Sequence, residues 1–142
     1  MDDVIRGLLK VGVLPVCAVG NDGRDITCSP GNYRSVISVG ASNAREKVAG
    51  FSGGGTLFVE NHIYTVPDLV APGEQVYSSV TKGGYEAWNG TSMAAPIVSG
   101  IAALWLERYP DITVTDLREE LLGNCKNLGQ PRDRQGNGLI QM

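Results

Sequence analysis

The apolar residues near the amino end of the chain predict a helix followed by a buried strand. Residues 2–10 carry one apolar stripe at helical spacing, formed by Val4, Ile5, Leu8 and Leu9. After Gly12, residues 13–19 form an almost unbroken apolar run. Such a run is typical of a parallel strand buried on both faces, although its length also fits a short buried helix. The segment Gly20-Asn21-Asp22-Gly23 then predicts a sharp turn.

Two further apolar segments predict strands of the same kind. Residues 35–40 end at a glycine, and residues 68–73 end at Pro72-Gly73. Between them, Phe51-Ser52 leads into three consecutive glycines, which predict a loop. Three strands that each end in a turn indicate an α/β fold with a parallel sheet whose carboxyl edge carries the loops.

The second half of the chain predicts two helices. Residues 91–107 are apolar nearly all round, a pattern that favours a helix at the centre of a protein. Pro96 falls in the first turn of this helix, where a missing N–H does little harm. A final helix begins after Thr113, a predicted N-cap, and ends at Gly123-Asn124. The tail over residues 130–137 is polar and rich in turn residues.

Composition and charge narrow the class of protein. The 142 residues are 42% hydrophobic and 19% charged, which fits one globular domain. The net charge is −3 and no run of lysine or arginine occurs, which argues against a nucleic-acid partner. The apolar stretch over residues 11–19 is too short to span a bilayer. Met1-Asp2-Asp3 is acidic where a signal peptide would be basic, so the sequence shows no signal peptide and leaves the compartment open.

The three cysteines do not define a site. Cys17, Cys28 and Cys125 cannot all pair within one chain, and their spacing matches no zinc pattern. We interpret them as buried or incidental thiols.

Ser92 is the leading candidate for chemistry. It follows Gly90-Thr91 at the predicted amino end of an apolar helix. A helix amino end presents unpaired N–H groups and partial positive charge, which would stabilise a developing oxyanion. The simpler alternative is that Thr91 or Ser92 is only an N-cap.

Five segments in order resemble the subtilase family of serine proteases over nearly all of the chain. They are Ala18-Val19-Gly20-Asn21-Asp22-Gly23, residues 35–41, Phe51-Ser52, Leu69-Val70-Ala71-Pro72-Gly73 and residues 89–100, which begin Asn-Gly-Thr-Ser-Met-Ala-Ala-Pro. The last of these resembles the nucleophile motif of the family. The resemblance implies a subtilisin-like three-layer α/β fold, of which residues 1–142 would be the carboxy-terminal half of the catalytic domain.

The resemblance also implies roles for three residues. Ser92 would be the nucleophile, and its N–H would donate to the oxyanion together with the side-chain amide of Asn21. Thr91 would support this oxyanion site. Asn21 also fits a plain turn residue that tolerates positive φ. If the resemblance holds, Ser92 Oγ and the Asn21 amide should lie roughly 3–8 Å apart at the carboxyl edge of a parallel sheet.

The family motifs that carry the catalytic aspartate and histidine are not found in these residues. His62 has the wrong neighbours and the wrong place in the order, so we interpret it as a surface-loop histidine, with pH sensing or metal binding as alternatives. Ile97 stands where many members of the family carry histidine. The segment from Gly53 to Asp68 is longer than a compact member needs, which indicates a specificity loop or an insertion.

Three functions are therefore weighed. The first is part of a serine endopeptidase that acts on peptides or proteins, inactive as this chain alone. The second is a non-catalytic subtilase-like scaffold or binding module. The third is a nucleotide-binding domain, which is weak because no GxGxxG or GKT motif occurs. No cofactor is predicted; the resemblance allows calcium, but the sequence identifies no ligands. The strand over residues 13–19 and the helix that carries Ser92 would lack their cover in this chain, which predicts self-association or pairing with an amino-terminal half. The resemblance leaves the compartment open, although members of the family are often secreted.

Overall fold

Over residues 2–142, which the computed structural model describes, the chain forms four helices and nine strands. In chain order they are α1 (Asp2–Lys10), β1 (Val16–Ala18), β2 (Ile37–Ser42), β3 (Gly55–Val59), β4 (His62–Val66), β5 (Leu69–Pro72), β6 (Val76–Ser79), β7 (Tyr85–Trp88), α2 (Thr91–Arg108), α3 (Val114–Gly123), β8 (Cys125–Lys126), α4 (Arg132–Gln135) and β9 (Leu139–Ile140).

The central sheet has the strand order β1-β2-β5-β9-β8. The first four strands run parallel, and β8 pairs antiparallel to β9. All six residues of β2 are buried, because both neighbours are strands and both faces are covered. The parallel arrangement of the three strands predicted from sequence is confirmed. Within the described residues, β1 has only β2 as a neighbour and so forms an edge of the sheet.

Helices α2 and α3 pack over this sheet and close the main core. The core comprises buried residues of β2, β5, α2, α3 and β9, among them Ile37, Val39, Leu69, Val98 and Leu121. Helix α3 begins as predicted, since Thr113 Oγ1 accepts a hydrogen bond from Asp116 N at 3.1 Å. Residue Ile5 of α1 is also buried, whereas Val4 on the same predicted stripe is exposed.

Helix α2 is buried on one side only within the described residues, although its sequence is apolar nearly all round. Its buried positions, which include Ala94, Val98 and Ile101, face the sheet and α3. On the other side, Leu104 and Leu106 are 52% and 44% exposed. The apolar surface of α2 is therefore larger than the part that the sheet and α3 cover. A groove of about 330 Å³ runs between α2 and the β1 edge.

Two antiparallel hairpins lie outside the central sheet. The first falls in the segment predicted as a loop or insertion, and the sequence predicted no element at the second. In β3–β4, Glu60 and Asn61 form the turn with positive φ at both positions. In β6–β7, consecutive Gly83 and Gly84 take positive φ. Most residues of both hairpins are exposed, so they lack the apolar periodicity that marks a core strand. The tail is also more ordered than predicted, because it contains α4 and then β9 inside the sheet. None of the helices in residues 2–142 is long and apolar enough to cross a bilayer.

Candidate active site

Three loops meet at the carboxyl edge of the central sheet. Gly20 and Asn21 follow β1, Gly73 follows β5, and Gly90 precedes α2. The Gly90 N–H donates to the Gly73 carbonyl at 2.8 Å, which fixes the start of α2 against the end of β5. A Cβ at position 73 would lie 2.6 Å from the Ala41 Cβ, so this close approach requires glycine.

The side chain of Asn21 is tied to the first residue of α2. Its Oδ1 accepts hydrogen bonds from Thr91 N at 2.8 Å and from Thr91 Oγ1 at 3.0 Å, across 70 positions of sequence. A backbone N–H can only donate, so the atom facing it must be the amide oxygen. The Nδ2 group, with its two donor hydrogens, therefore points away from Thr91.

Thr91 connects this amide to the loop backbone. Its side chain is fully buried, and Oγ1 lies 3.3 Å from both the Gly20 nitrogen and the Gly20 carbonyl oxygen. The hydroxyl accepts from the Gly20 N–H while it donates to the Asn21 or Gly20 oxygen. Thr91 thus links the Gly20-Asn21 turn to the first residue of α2.

Ser92 lies exposed in the first turn of α2. Among residues 2–142, neither its N–H nor its Oγ has a hydrogen-bond partner. A methyl group added to Gly90 would lie 3.7 Å from both Asn21 Nδ2 and the Ser92 nitrogen. Those two nitrogens are therefore separated by no more than twice that distance, and Met93 Sδ, 3.3 Å from the same methyl position, borders the space beside them. The structure places Asn21, Thr91 and Ser92 at the same edge of the sheet, and the distance of roughly 3–8 Å between Ser92 Oγ and the Asn21 amide stays a prediction.

A cleft of about 630 Å³ extends from Ser92 along the β6–β7 hairpin. Its wall includes Trp88, whose Nε1–H donates to Glu86 Oε2 at 2.8 Å. On the same hairpin, Tyr77 and Tyr85 stack with their ring centroids 5.4 Å apart. This wall was not predicted, although two short runs around Gly83-Gly84 carry a weak hairpin signal.

His62 lies away from this site. It begins β4, is exposed, and lines a separate cleft with Tyr33 and Arg34, which precede β2. Residues that precede a parallel strand lie at its amino edge, opposite the edge that carries Ser92. The interpretation of His62 as a loop residue needs correction, since it belongs to a hairpin strand paired with Val59. It is the one histidine of the 142 residues.

Over the described residues, the cysteine and acidic side chains form neither a disulfide nor a metal-binding group. Cys17, Cys28 and Cys125 are all free. Cys28 is exposed, whereas burial raises the pKa of Cys17 and raises that of Cys125 to about 11. Within residues 2–142, no group of three or more His, Cys, Asp or Glu side chains is arranged to hold a metal ion.

The chain is similar to known proteases over its whole length. A sequence profile of the Subtilase family matches residues 2–138. The subtilisin-like protease PopC of Myxococcus xanthus (strain DK1622) is 40% identical over 147 residues, covering 98% of this chain and 30% of PopC. Subtilisin DY of Bacillus licheniformis is 36% identical over 135 residues, covering 92% of this chain and 46% of that protein.

A solved structure agrees with these similarities. The S218A mutant of the protease domain of PatA superposes with a TM-score of 0.81 and 28% identity, covering 99% of this chain and 49% of that domain. This chain spans less than half the length of these curated relatives. The resemblance and the fold class predicted from sequence are confirmed. The chain belongs to the subtilase family of serine proteases.

Proposed function

We propose that this chain supplies the nucleophile and the oxyanion-binding groups of a subtilisin-type serine endopeptidase. The observation that carries the proposal is the pair of hydrogen bonds from Thr91 to Asn21 Oδ1. They turn Asn21 Nδ2 away from Thr91, towards the space that the Ser92 N–H borders. Two donors then serve one developing negative charge.

These groups act in the first step of acyl transfer, the attack on the peptide bond. Ser92 Oγ attacks the carbonyl carbon of the peptide bond, and the carbonyl oxygen becomes an oxyanion. The Ser92 N–H and Asn21 Nδ2 donate hydrogen bonds to this oxyanion, and the amino end of α2 adds partial positive charge. One such side-chain donor accounts for about 10²- to 10³-fold in rate. Thr91 acts as a positioning residue, since it contacts Asn21 rather than the reacting atoms.

The base that accepts the Ser92 proton comes from polypeptide other than these residues. His62 cannot serve, because it lies at the opposite edge of the sheet. In this family a histidine takes the proton and an aspartate orients it. We propose that the half of the catalytic domain carrying both residues covers the exposed face of α2 and the β1 edge. The apolar groove between these two elements supports this arrangement.

The experiment uses the complete protein that contains this chain. A fluorogenic peptide reports hydrolysis, and a fluorophosphonate probe reports nucleophilic serine. Ser92→Ala should abolish both signals. Ser99→Ala on the same helix should abolish neither, because Ser99 Oγ only donates to the Ala95 carbonyl.

Two outcomes would contradict the proposal. Hydrolysis that survives Ser92→Ala would assign the activity to another group. A complete protein that binds peptide but neither hydrolyses it nor labels at Ser92 would support the alternative of a non-catalytic binding module.

A further inference from the structure

A second cleft lies at the amino edge of the central sheet, away from Ser92. It has a volume of about 430 Å³. Its walls combine three arginines, two tyrosines and one aspartate: Arg34, Arg118, Arg132, Tyr33, Tyr64 and Asp68. These side chains come from the segment before β2, the segment before β5, and helices α3 and α4, so the fold brings distant parts of the sequence together here.

The aspartate is already committed to the fold. Asp68 Oδ2 accepts from Ser38 N at 2.8 Å and pairs with the Arg118 guanidinium at 3.3 Å. Arg118 also donates to the Val36 carbonyl at 2.6 Å. Burial raises the pKa of Asp68, while Arg118, the Ser38 N–H and the charge of Arg132 act to lower it. Asp68 and Arg118 thus compensate each other and form a structural pair.

The cleft carries more positive than negative charge. Arg34 and Arg132 are exposed, and the charge of Arg132 acts on the Asp68 carboxylate that Arg118 already pairs with. Three arginines against one aspartate leave an excess of two positive charges here, in a chain whose net charge is −3. Two positive charges on one cleft wall would repel a metal cation and attract an anion.

We propose that this cleft binds a small molecule that carries a phosphate-type dianion. Guanidinium groups present planar pairs of donors that match phosphate oxygens. The volume lies in the range of small-molecule pockets and exceeds what a bare phosphate needs. The rings of Tyr33 and Tyr64 supply apolar surface for the rest of such a molecule. An adjoining cleft of about 270 Å³ shares Tyr33, Arg34 and Tyr64 and extends the same surface.

The test is calorimetric titration of the full chain with inorganic phosphate and with phenyl phosphate. Sodium chloride holds the ionic strength constant, so that non-specific screening does not change during the titration. Arg34→Gln and Arg132→Gln should each weaken binding about tenfold, since each removes a charged hydrogen-bond donor. Arg45→Gln is the matched control, an exposed arginine that lies outside the cleft. Arg118 is left unchanged because it holds Val36 and Asp68.

The outcomes separate the sources of the dianion. Tighter binding of phenyl phosphate than of inorganic phosphate supports a phosphorylated small molecule. Equal binding of both, lost in the two arginine variants, overturns that source in favour of free phosphate. No heat of binding for either ligand, or equal affinity in Arg132→Gln and Arg45→Gln, overturns the site altogether. Thermal unfolding of each variant verifies that it is folded, and none of these readouts depends on protease activity.

Discussion

Replacing Asn21 in two different ways separates its structural role from its proposed catalytic role. Its Oδ1 accepts from Thr91 N and Thr91 Oγ1, while its Nδ2 is turned away from Thr91. Asn21→Asp keeps an acceptor oxygen at the Oδ1 position, facing Thr91, but replaces the Nδ2 donor by a second oxygen. Asn21→Ala removes both. The two variants therefore share the loss of the donor and differ in the contact with α2.

The expected changes in stability have opposite signs. Helix α2 has no acidic residue in its first turn. A carboxylate at its amino end should therefore stabilise the protein by about 0.3–1 kcal/mol. Asn21→Ala leaves the Thr91 N–H, at a fully buried residue, without its acceptor. Loss of that partner should destabilise the protein by about 1–3 kcal/mol.

The expected changes in rate have the same sign. Both variants lose the side-chain donor to the oxyanion, so kcat of the complete protein should fall about 10²- to 10³-fold in each. The kcat of Asn21→Asp should fall at least as far as that of Asn21→Ala, because a carboxylate oxygen would face the developing negative charge. KM should change little, since this donor acts mainly in the transition state.

Urea unfolding and steady-state hydrolysis of a fluorogenic peptide measure the two effects independently. Asn61→Asp is the control, because Asn61 occupies the exposed β3–β4 turn and changes charge by the same amount. If Asn21→Asp destabilised the protein as much as Asn21→Ala, the assignment of Oδ1 to Thr91 would be refuted. If Asn21→Asp kept kcat within threefold of the parent, the donor role of Nδ2 would be refuted.

Four further outcomes are expected. Residues 1–142 on their own should not label with a fluorophosphonate probe, because Ser92 lacks a base; rapid stoichiometric labelling would reveal a base within this chain. The same chain should self-associate in light scattering through the exposed face of α2, and Leu104→Glu should reduce the association; a monomer in both forms would contradict this. Iodoacetamide at pH 8 should modify exposed Cys28 well before Cys125, whose pKa burial raises to about 11; equal rates would show that the buried thiol is accessible. Thr113→Val should lower the free energy of unfolding by about 1 kcal/mol through loss of the α3 N-cap; an unchanged urea midpoint would show that this N-cap does not stabilise the protein.

Sequence patterns predicted the elements that form the core. Strand β2 was found because all of its positions are buried, which leaves a continuous apolar pattern. Helix α2 was found because it is apolar on nearly every side, including the side that these residues leave exposed. The β3–β4 and β6–β7 hairpins were missed because pairing between exposed strands leaves little periodicity. Strand β9 was missed for a different reason. It is only two residues long, and its place between β5 and β8 depends on tertiary contacts.

The candidate site was predictable in its residues but not in its connections. The family motifs identified Asn21 and Ser92 directly. No local pattern indicated that Thr91 Oγ1 would contact Gly20, or that Gly73 would hold Gly90 by a backbone hydrogen bond. These contacts link segments that are far apart in sequence, and single-sequence reasoning carries no information on such pairs without a known relative.

If Asn21 and Ser92 form the proposed oxyanion site, the hydrogen bonds around Thr91 hold its donors in place before a substrate arrives. The Gly20-Asn21 turn is held by a fully buried side chain, and the start of α2 is held by Gly73. Neither contact involves a substrate group or the proton that Ser92 must lose. Electrostatic stabilisation of a transition state is most effective when its donors need not reorganise as charge develops. In the proposed site, residues 2–142 position these donors, and the base comes from other polypeptide. The same half-site should therefore raise the rate only when the remaining groups are brought to Ser92, and its geometry should be unchanged by their arrival.

Amide chemical shifts of Gly20 and Thr91 that move little when the other half of the domain binds would support this division. Large shifts at both would mean that the donors are ordered by the partner.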